Sequence, residues 1–296
     1  MIGDVRALLA CPLCGRGFAS QGPAGTGALC CPNGHSFDIA RQGYVNLLPG
    51  GARPGTADTA GMVAAREAFL SAGHYAPLAG AVADLAAASA GAPVPGPEPG
   101  APPCVLDAGA GTGYYLAAVL DRLRARPGYA QTAGLALDIS ARALRRAARA
   151  RPGIGAVVWD IWRPFPVRDG AAALILNVFA PRNGPEFRRV LRAGGALIVV
   201  TPGPGHLAEM AGPAGLLAVD QHKDERLAAA LGAFFTAADE RALTVALRLT
   251  RPQAASLAAM GPAARHTGTG SRERLAGLAE PVRVTAAFRI TLYRPR

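Results

Sequence analysis

The stretch that most constrains the fold is Val105-Leu106-Asp107-Ala108-Gly109-Ala110-Gly111-Thr112-Gly113. An apolar run suited to a buried strand stops in glycines, and Tyr114-Tyr115-Leu116-Ala117-Ala118-Val119-Leu120 then begins an amphipathic helix. Small residues at such a turn let the backbone approach a ligand closely, and the N–H groups at the helix start favour an anionic group. The alternation continues downstream. TAGLALDIS reads as a second strand and ARALRRAARAR as a second helix, and GAVVWDI, AALILNVF and GGALIVVTP read as further buried strands, with helix candidates such as PEFRRVLRAG between them. ALTVALRLT and PVRVTAAFRITLYRP read as two closing strands. The pattern predicts an α/β fold: a mostly parallel, seven-stranded sheet, helices on both faces, and ligands at the carboxyl ends of the strands.

A glycine turn between strand and helix is common, so the acidic residues around it matter. Asp107 precedes the glycines, and Asp138 ends the next strand, where a carboxylate accepts hydrogen bonds from both hydroxyls of a ribose. A nicotinamide dinucleotide site has similar elements but usually reads GxGxxG without the preceding acid. Acidic helix caps are the ordinary alternative for Asp138 and for Asp160, in VVWDIWRPFP.

The N-terminus carries a second constraint. Cys11-x2-Cys14 and Cys31-x3-His35 are two short chelating turns separated by sixteen residues. Four sulfur and nitrogen donors without a carboxylate suit a tetrahedral, closed, structural zinc site. Cys30 is an alternative third ligand, but Cys31 forms the compact CPNGH turn, and Cys104 reads as core packing. The start MIGDVRALLACPLC lacks the features of a secretory signal, and no apolar run reaches the roughly 18 residues of a membrane helix. A cytoplasmic protein is therefore expected, where five cysteines argue against a disulfide framework.

Composition separates three segments. Residues 1–47 hold the Cys/His cluster, residues 48–103 an alanine-rich helical connector and the linker GAPVPGPEPGAPP, and residues 104–296 the alternating strands and helices. The formal net charge of +11 suggests a polyanionic partner such as nucleic acid, although Lys223 is the only lysine and the Arg-, Ala-, Gly- and Pro-rich composition also explains the basicity.

The order DAGAGTGYY then LALDIS resembles the class I, Rossmann-like S-adenosylmethionine-dependent methyltransferases. CPLCG, CPNGHSFDIARQGYVNLLP, AREAFLSAGHYAPL, LDAGAGTGYY, NVFAPRN and VTPGPGHLAE, in this order, resemble the 23S ribosomal RNA (guanine-N1)-methyltransferases, most closely the actinomycete branch associated with tylosin resistance. The likeness spans nearly the whole chain; the loop between the cysteine pairs and the Pro/Gly linker are longer here. It implies an N-terminal zinc-ribbon-like RNA-recognition domain held by Cys11, Cys14, Cys31 and His35. It also implies cofactor contacts from Tyr75, Asp107, Gly109, Gly111, Thr112, Asp138, Asp160 and His206, with S-adenosylmethionine as cofactor and 23S rRNA as partner. Tyr75 as a helix-packing aromatic and His206 as a helix cap are the plainer alternatives.

Asn177 and Phe179 follow the fourth strand, where such enzymes place the target base. Asn177 is assigned the guanine edge, Phe179 a stack on it and Arg182 a phosphate, against the ordinary reading of a loop with a buried Phe. Arg142, Arg145, Arg146 and Arg149 form a helical stripe that reads as a solvated face before an RNA contact, whereas Arg41 beside the ribbon is the better RNA candidate. Two rivals stand beside this reading: a small-molecule methyltransferase with the ribbon as a lid, and a zinc-dependent RNA-binding regulator with an inactive methyltransferase domain. A homodimer gripping a hairpin would suit the RNA substrate, but the sequence does not show one.

Overall fold

The computed structural model describes residues 2–19, 27–50, 57–91, 96, 101–211, 230–261 and 277–296; most of the Pro/Gly linker and part of the loop between the cysteine pairs lie outside them. The N-terminal part contains a short helix α1 (Ile2–Val5), a hairpin of β1 (Ala28–Cys30) and β2 (Ser36–Asp38), and β3 (Tyr44–Asn46). Helices α2 (Ala60–Ser71) and α3 (Ala76–Ser89) follow. Next come β4 (Cys104–Ala108), α4 (Tyr114–Arg124), β5 (Ala133–Asp138), α5 (Ala141–Ala150), β6 (Ile154–Val158), β7 (Ala172–Val178), α6 (Gly184–Val190) and β8 (Leu191–Pro202). The chain closes with β9 (Phe235–Leu249), α7 (Arg251–Ala259) and β10 (Val282–Pro295).

Among the described residues the sheet has eight strands, in the order β3-β6-β5-β4-β7-β8-β10-β9, not the expected seven. The seven expected strands are all present; the eighth is β3, which pairs in parallel with β6 through Tyr44↔Ala156, Val45↔Val157 and Asn46↔Val158. Within YVNLLP only Val45 and Leu47 are fully buried, so the segment carries no strand-length apolar run and its pairing was not visible in the periodicity. The helix expected over PEFRRVLRAG also ends early. Leu191 has φ −80° and ψ 127° and pairs with Ala172, so the last residues of that motif already belong to β8.

Every residue of β4 and of β6 is buried, as expected for parallel strands covered on both faces. Edge strand β9 alternates only in its C-terminal half, and its more exposed first half carries Asp239, Glu240 and Arg241, charges that discourage edge-to-edge pairing. On one face, α3, α4, α5 and α7 pack Leu78, Val82, Leu116, Leu120, Leu144 and Leu257 against the sheet. In α5, Ser140 caps the N-terminus by accepting from Ala143 N–H (3.3 Å), and Ala143, Leu144 and Ala147 turn inward at helical spacing. On the other face, Ile2, Val5, Leu8, Phe18 and Leu29 join Trp159, Phe165 and Phe187 in one core, so the cysteine-bearing part is packed onto the sheet. No described helix is long and apolar enough to cross a membrane.

Candidate active site and metal centre

The strand order reverses at β4, which lies between β5 and β7, and a crevice outside the carboxyl ends of β4 and β7 is the expected ligand position for such a sheet. Gly109, φ +88°, turns the chain there, and a Cβ on it would come within 2.3 Å of Ala180 Cβ, so only glycine lets the β4 and β7 loops meet. Gly109 and Ala110 donate their N–H groups to Leu137 O (2.8 and 3.0 Å), and Gly111 N–H donates to Asp138 Oδ2 (2.8 Å). Ser140 N–H donates to Asp138 Oδ1 (2.7 Å). Asp138 is therefore fixed by two backbone donors, one per oxygen, and each oxygen retains a second lone pair for a hydroxyl. Burial raises its pKa above the ordinary carboxylate value, although the Ser140 and Gly111 N–H bonds pull the other way.

Asp107 is buried, with Oδ1 unpartnered, and burial, reinforced by the charge of Asp138, raises its pKa to about 8. A buried carboxyl of this kind is suited to a cationic ligand group, which would both pair with it and restore its charge. Thr112, half-buried, borders a groove of about 960 Å³ that is also lined by Tyr114, Glu67 and Arg145. Asp160 is half-buried and caps its own turn: Oδ1 accepts from Trp162 N–H (3.0 Å) and Oδ2 faces Arg163 Nε at 3.8 Å.

Four aromatic rings line up beside the crevice. Tyr75 at the start of α3 is buried edge-to-face on Phe288 (5.0 Å), and Phe288 also packs on His206 (5.1 Å) and Phe179 (5.9 Å). Burial raises the Tyr75 phenol above its ordinary value. The His206 Nδ1–H donates to Ala287 O (2.7 Å), which sets the tautomer of the ring. Phe179, immediately after β7, is 41% exposed and has φ +54°. A left-handed, exposed Phe costs roughly 1–2 kcal/mol relative to a relaxed backbone, a kind of strain that concentrates at functional sites.

Asn177 lies deeper than a base-reading side chain would. Fully buried, it donates from Nδ2 to Ala108 O (3.0 Å) and Pro181 O (2.8 Å), bridging the β4 and β7 loops, while its buried Oδ1 is unpartnered. Sequence reasoning missed Arg66. It pairs closely with Asp58, donates to Met260 O (2.9 Å) after α7, and reaches over Gly111, where a Cβ would meet its Nη1 at 3.3 Å. Arg66 lies within AREAFLSAGHYAPL, but nothing in the local pattern of that block points to its contacts with Asp58, Met260 and Gly111.

In the N-terminal part, the candidate ligand atoms of Cys11, Cys14, Cys31 and His35 all lie within 4.8 Å of one another. Cys14 Sγ is 3.7 Å from Cys31 Sγ, and His35 Nδ1 is 3.5 Å from Cys11 Sγ and 3.4 Å from Cys31 Sγ. Those edges match a zinc tetrahedron, whose bonds of about 2.3 Å to sulfur set S···S edges of roughly 3.8 Å, and 3.7 Å is far beyond a disulfide bond. Each turn closes on a left-handed glycine: Gly15 (φ +71°) donates to Cys11 O (2.8 Å), and Gly34 (φ +81°) to Cys31 O (3.0 Å). Cys30 Sγ instead lies 3.4 Å from Ser36 Oγ across the hairpin, and Cys104 is buried in β4. The geometry brings together the four ligands expected from the spacing and leaves Cys30 out.

A family model described as RlmA, N-terminal, a zinc ribbon, matches residues 9–53. A protein of Micromonospora griseorubida to which 23S rRNA (guanine-N(1)-)-methyltransferase activity is provisionally ascribed is 52% identical over 99% of this chain and 99% of its own. The 23S rRNA (guanine(748)-N(1))-methyltransferase of Streptomyces fradiae is 47% identical over 99% of this chain and 98% of its own. Among solved structures, the YcgJ protein from Bacillus subtilis is 12% identical, with a TM-score of 0.46 over 72% of this chain and 97% of that one. The full-length identity to these relatives, and the zinc-ribbon match at its head, place the chain in the 23S rRNA (guanine-N1)-methyltransferase family.

Proposed function

We propose that the chain transfers a methyl group from S-adenosylmethionine to N1 of one guanine in a 23S rRNA hairpin. The observation that carries this reading is the near-full-length identity to relatives of that activity, joined to a crevice whose acidic and glycine residues suit that cofactor. When bound, S-adenosylmethionine supplies an electrophilic sulfonium methyl. In this reading Asp138 would accept from the ribose hydroxyls, Asp160 would border the adenine, and Gly109, Gly111 and Thr112 would wrap the amino-acid part. The buried Asp107 carboxylate offsets the cofactor's positive charge, and Tyr75 and His206 close the aromatic wall beside it. Phe179, exposed on a strained backbone at the end of β7, stacks on the guanine. Asn177 acts by holding the loops that carry Phe179 and Gly109 in register.

The guanine N1 bears a proton at neutral pH. Bound there, the cofactor would present its methyl to the guanine that Phe179 positions, and the N1 proton must leave as the methyl is transferred. Alignment supplies much of the acceleration, so little acid–base apparatus is required. The division into an RNA-recognition ribbon (1–47), a connector (48–103) and a catalytic domain (104–296) is part of the proposal, with Cys11, Cys14, Cys31 and His35 holding the zinc. So are a cytoplasmic location, a homodimer gripping the hairpin, and resistance to tylosin-type macrolides as the physiological consequence. The S. fradiae relative's name specifies guanine 748, and the equivalent hairpin position is the proposed acceptor. Replacing Phe179 by Ala tests the stacking role: turnover is expected to fall with cofactor affinity retained, and full activity would remove it.

A further inference from the structure

Three large apolar side chains stand exposed among the described residues: Leu13, Phe179 and Trp162, the last with 67% of its surface open. Leu13 lies between two cysteines of the zinc knuckle, and Phe179 at the end of β7. Trp162 is in neither segment, and nothing in the functional reading uses it. Tryptophan is among the costliest side chains to leave in water, with most of its large area apolar.

Its backbone is held firmly. Trp162 N–H donates to Asp160 Oδ1 (3.0 Å) and Arg163 N–H to Asp160 O (3.0 Å), closing a tight turn at the end of β6. Ile161 and Phe165 on either side are buried, and Asn183 Nδ2 donates to Ile161 O (2.9 Å), tying this turn to the loop that carries Phe179. A few residues on, Val167 bridges Leu9, two residues before Cys11. The Trp162 loop is thus joined by hydrogen bonds to the Phe179 loop on one side and to the zinc knuckle on the other. A ring presented on a fixed turn loses little conformational freedom when something stacks on it.

We propose that Trp162 is a stacking platform for an unpaired nucleobase of the RNA loop, next to the guanine that Phe179 receives. The inference rests on the RNA-methyltransferase reading. Single-stranded RNA is recognised by splaying bases onto aromatic faces, and every base offers such a face, so the platform adds affinity and position rather than sequence choice. Exposed Arg163 on the same turn favours the adjoining phosphate.

The chain's other tryptophan, Trp159, is buried, so the exposed indole gives a direct readout. Full-length zinc-loaded protein is titrated with the 23S hairpin while tryptophan fluorescence and filter binding are followed together. Quenching that saturates with binding is expected, and Trp162→Phe is expected to abolish it while keeping most of the affinity. Trp162→Ala is expected to weaken RNA binding on the order of tenfold and raise the KM for RNA, with melting temperature and cofactor affinity unchanged. RNA bound without quenching, unchanged RNA affinity in Trp162→Ala, or a loss falling on cofactor affinity overturns the platform. Wild-type protein that binds no hairpin at all instead overturns the RNA reading on which it rests.

Discussion

The zinc knuckle and the sheet crevice are built on opposite principles. In the knuckle, four side chains converge on one point and two left-handed glycines close the turns around it. In the crevice, a large two-faced core fixes the backbone and leaves the carboxyl-end loops to present their groups outward. One centre is organised by its ligands, the other by everything except its ligand. Removing a metal ligand should therefore damage the knuckle's structure, whereas removing a crevice residue should damage binding and leave the fold intact.

The sharpest break of that contrast is the double substitution Cys11→Ser and Cys14→Ser. Zinc is expected to be lost and RNA methylation to fall by orders of magnitude, with cofactor affinity changed far less, because structural zinc supplies folding free energy to its own module. Stoichiometric zinc in the purified variant, by elemental analysis, would refute the ligand set. Next in size is Asp138→Ala. Hydrogen bonds to a charged group contribute about 1.5–3 kcal/mol each, so cofactor affinity by calorimetry should drop at least tenfold with the melting curve retaining its cooperative shape. Unchanged affinity would remove its ribose role.

A pH series sharpens the comparison further. In the folded, cofactor-free protein the Asp107 carboxyl holds its proton up to about pH 8, against an ordinary value near 4 in the unfolded chain. The folded state binds the proton more tightly, so this group subtracts stability progressively as pH rises through that window. A cationic cofactor needs the ionised form. Its affinity should therefore climb between pH 6 and 8, by up to about tenfold per unit, and level off above, while Asp107→Asn flattens the profile. A flat wild-type profile would contradict the pairing of Asp107 with positive charge. The smallest effect concerns the strained Phe179. Phe179→Ala and Phe179→Gly both lose the ring, but glycine accepts φ +54° freely, so the Gly variant should be the more stable by about 1 kcal/mol in denaturant titrations.

The two regions were also unequally legible in the sequence. The knuckle was readable because chelation imposes short spacing: Cys11-x2-Cys14 and Cys31-x3-His35 could be matched to one ion, and CPNGH favoured Cys31 over Cys30, which turns toward Ser36 across the hairpin. The glycine turn and Asp138 were readable for a similar local reason, since the end of a buried strand dictates the turn chemistry beside it. Strand β3 was not, because its apolar content is too short and its partner β6 lies over a hundred residues away. Asn177, expected after the fourth strand, lies inside β7 and is fully buried. Its amide spans two loops, a tertiary demand that leaves no local mark. The contact of Arg66 with Met260 and the exposure of Trp162 likewise arise from packing, not from pattern.

Methyl transfer from radiolabelled S-adenosylmethionine to unmethylated 23S RNA, followed by nuclease digestion of the product, reads the reaction itself. Label is expected as N1-methylguanosine from a single hairpin. Cofactor binding with no label on RNA, or label on any other atom, would contradict the proposed reaction.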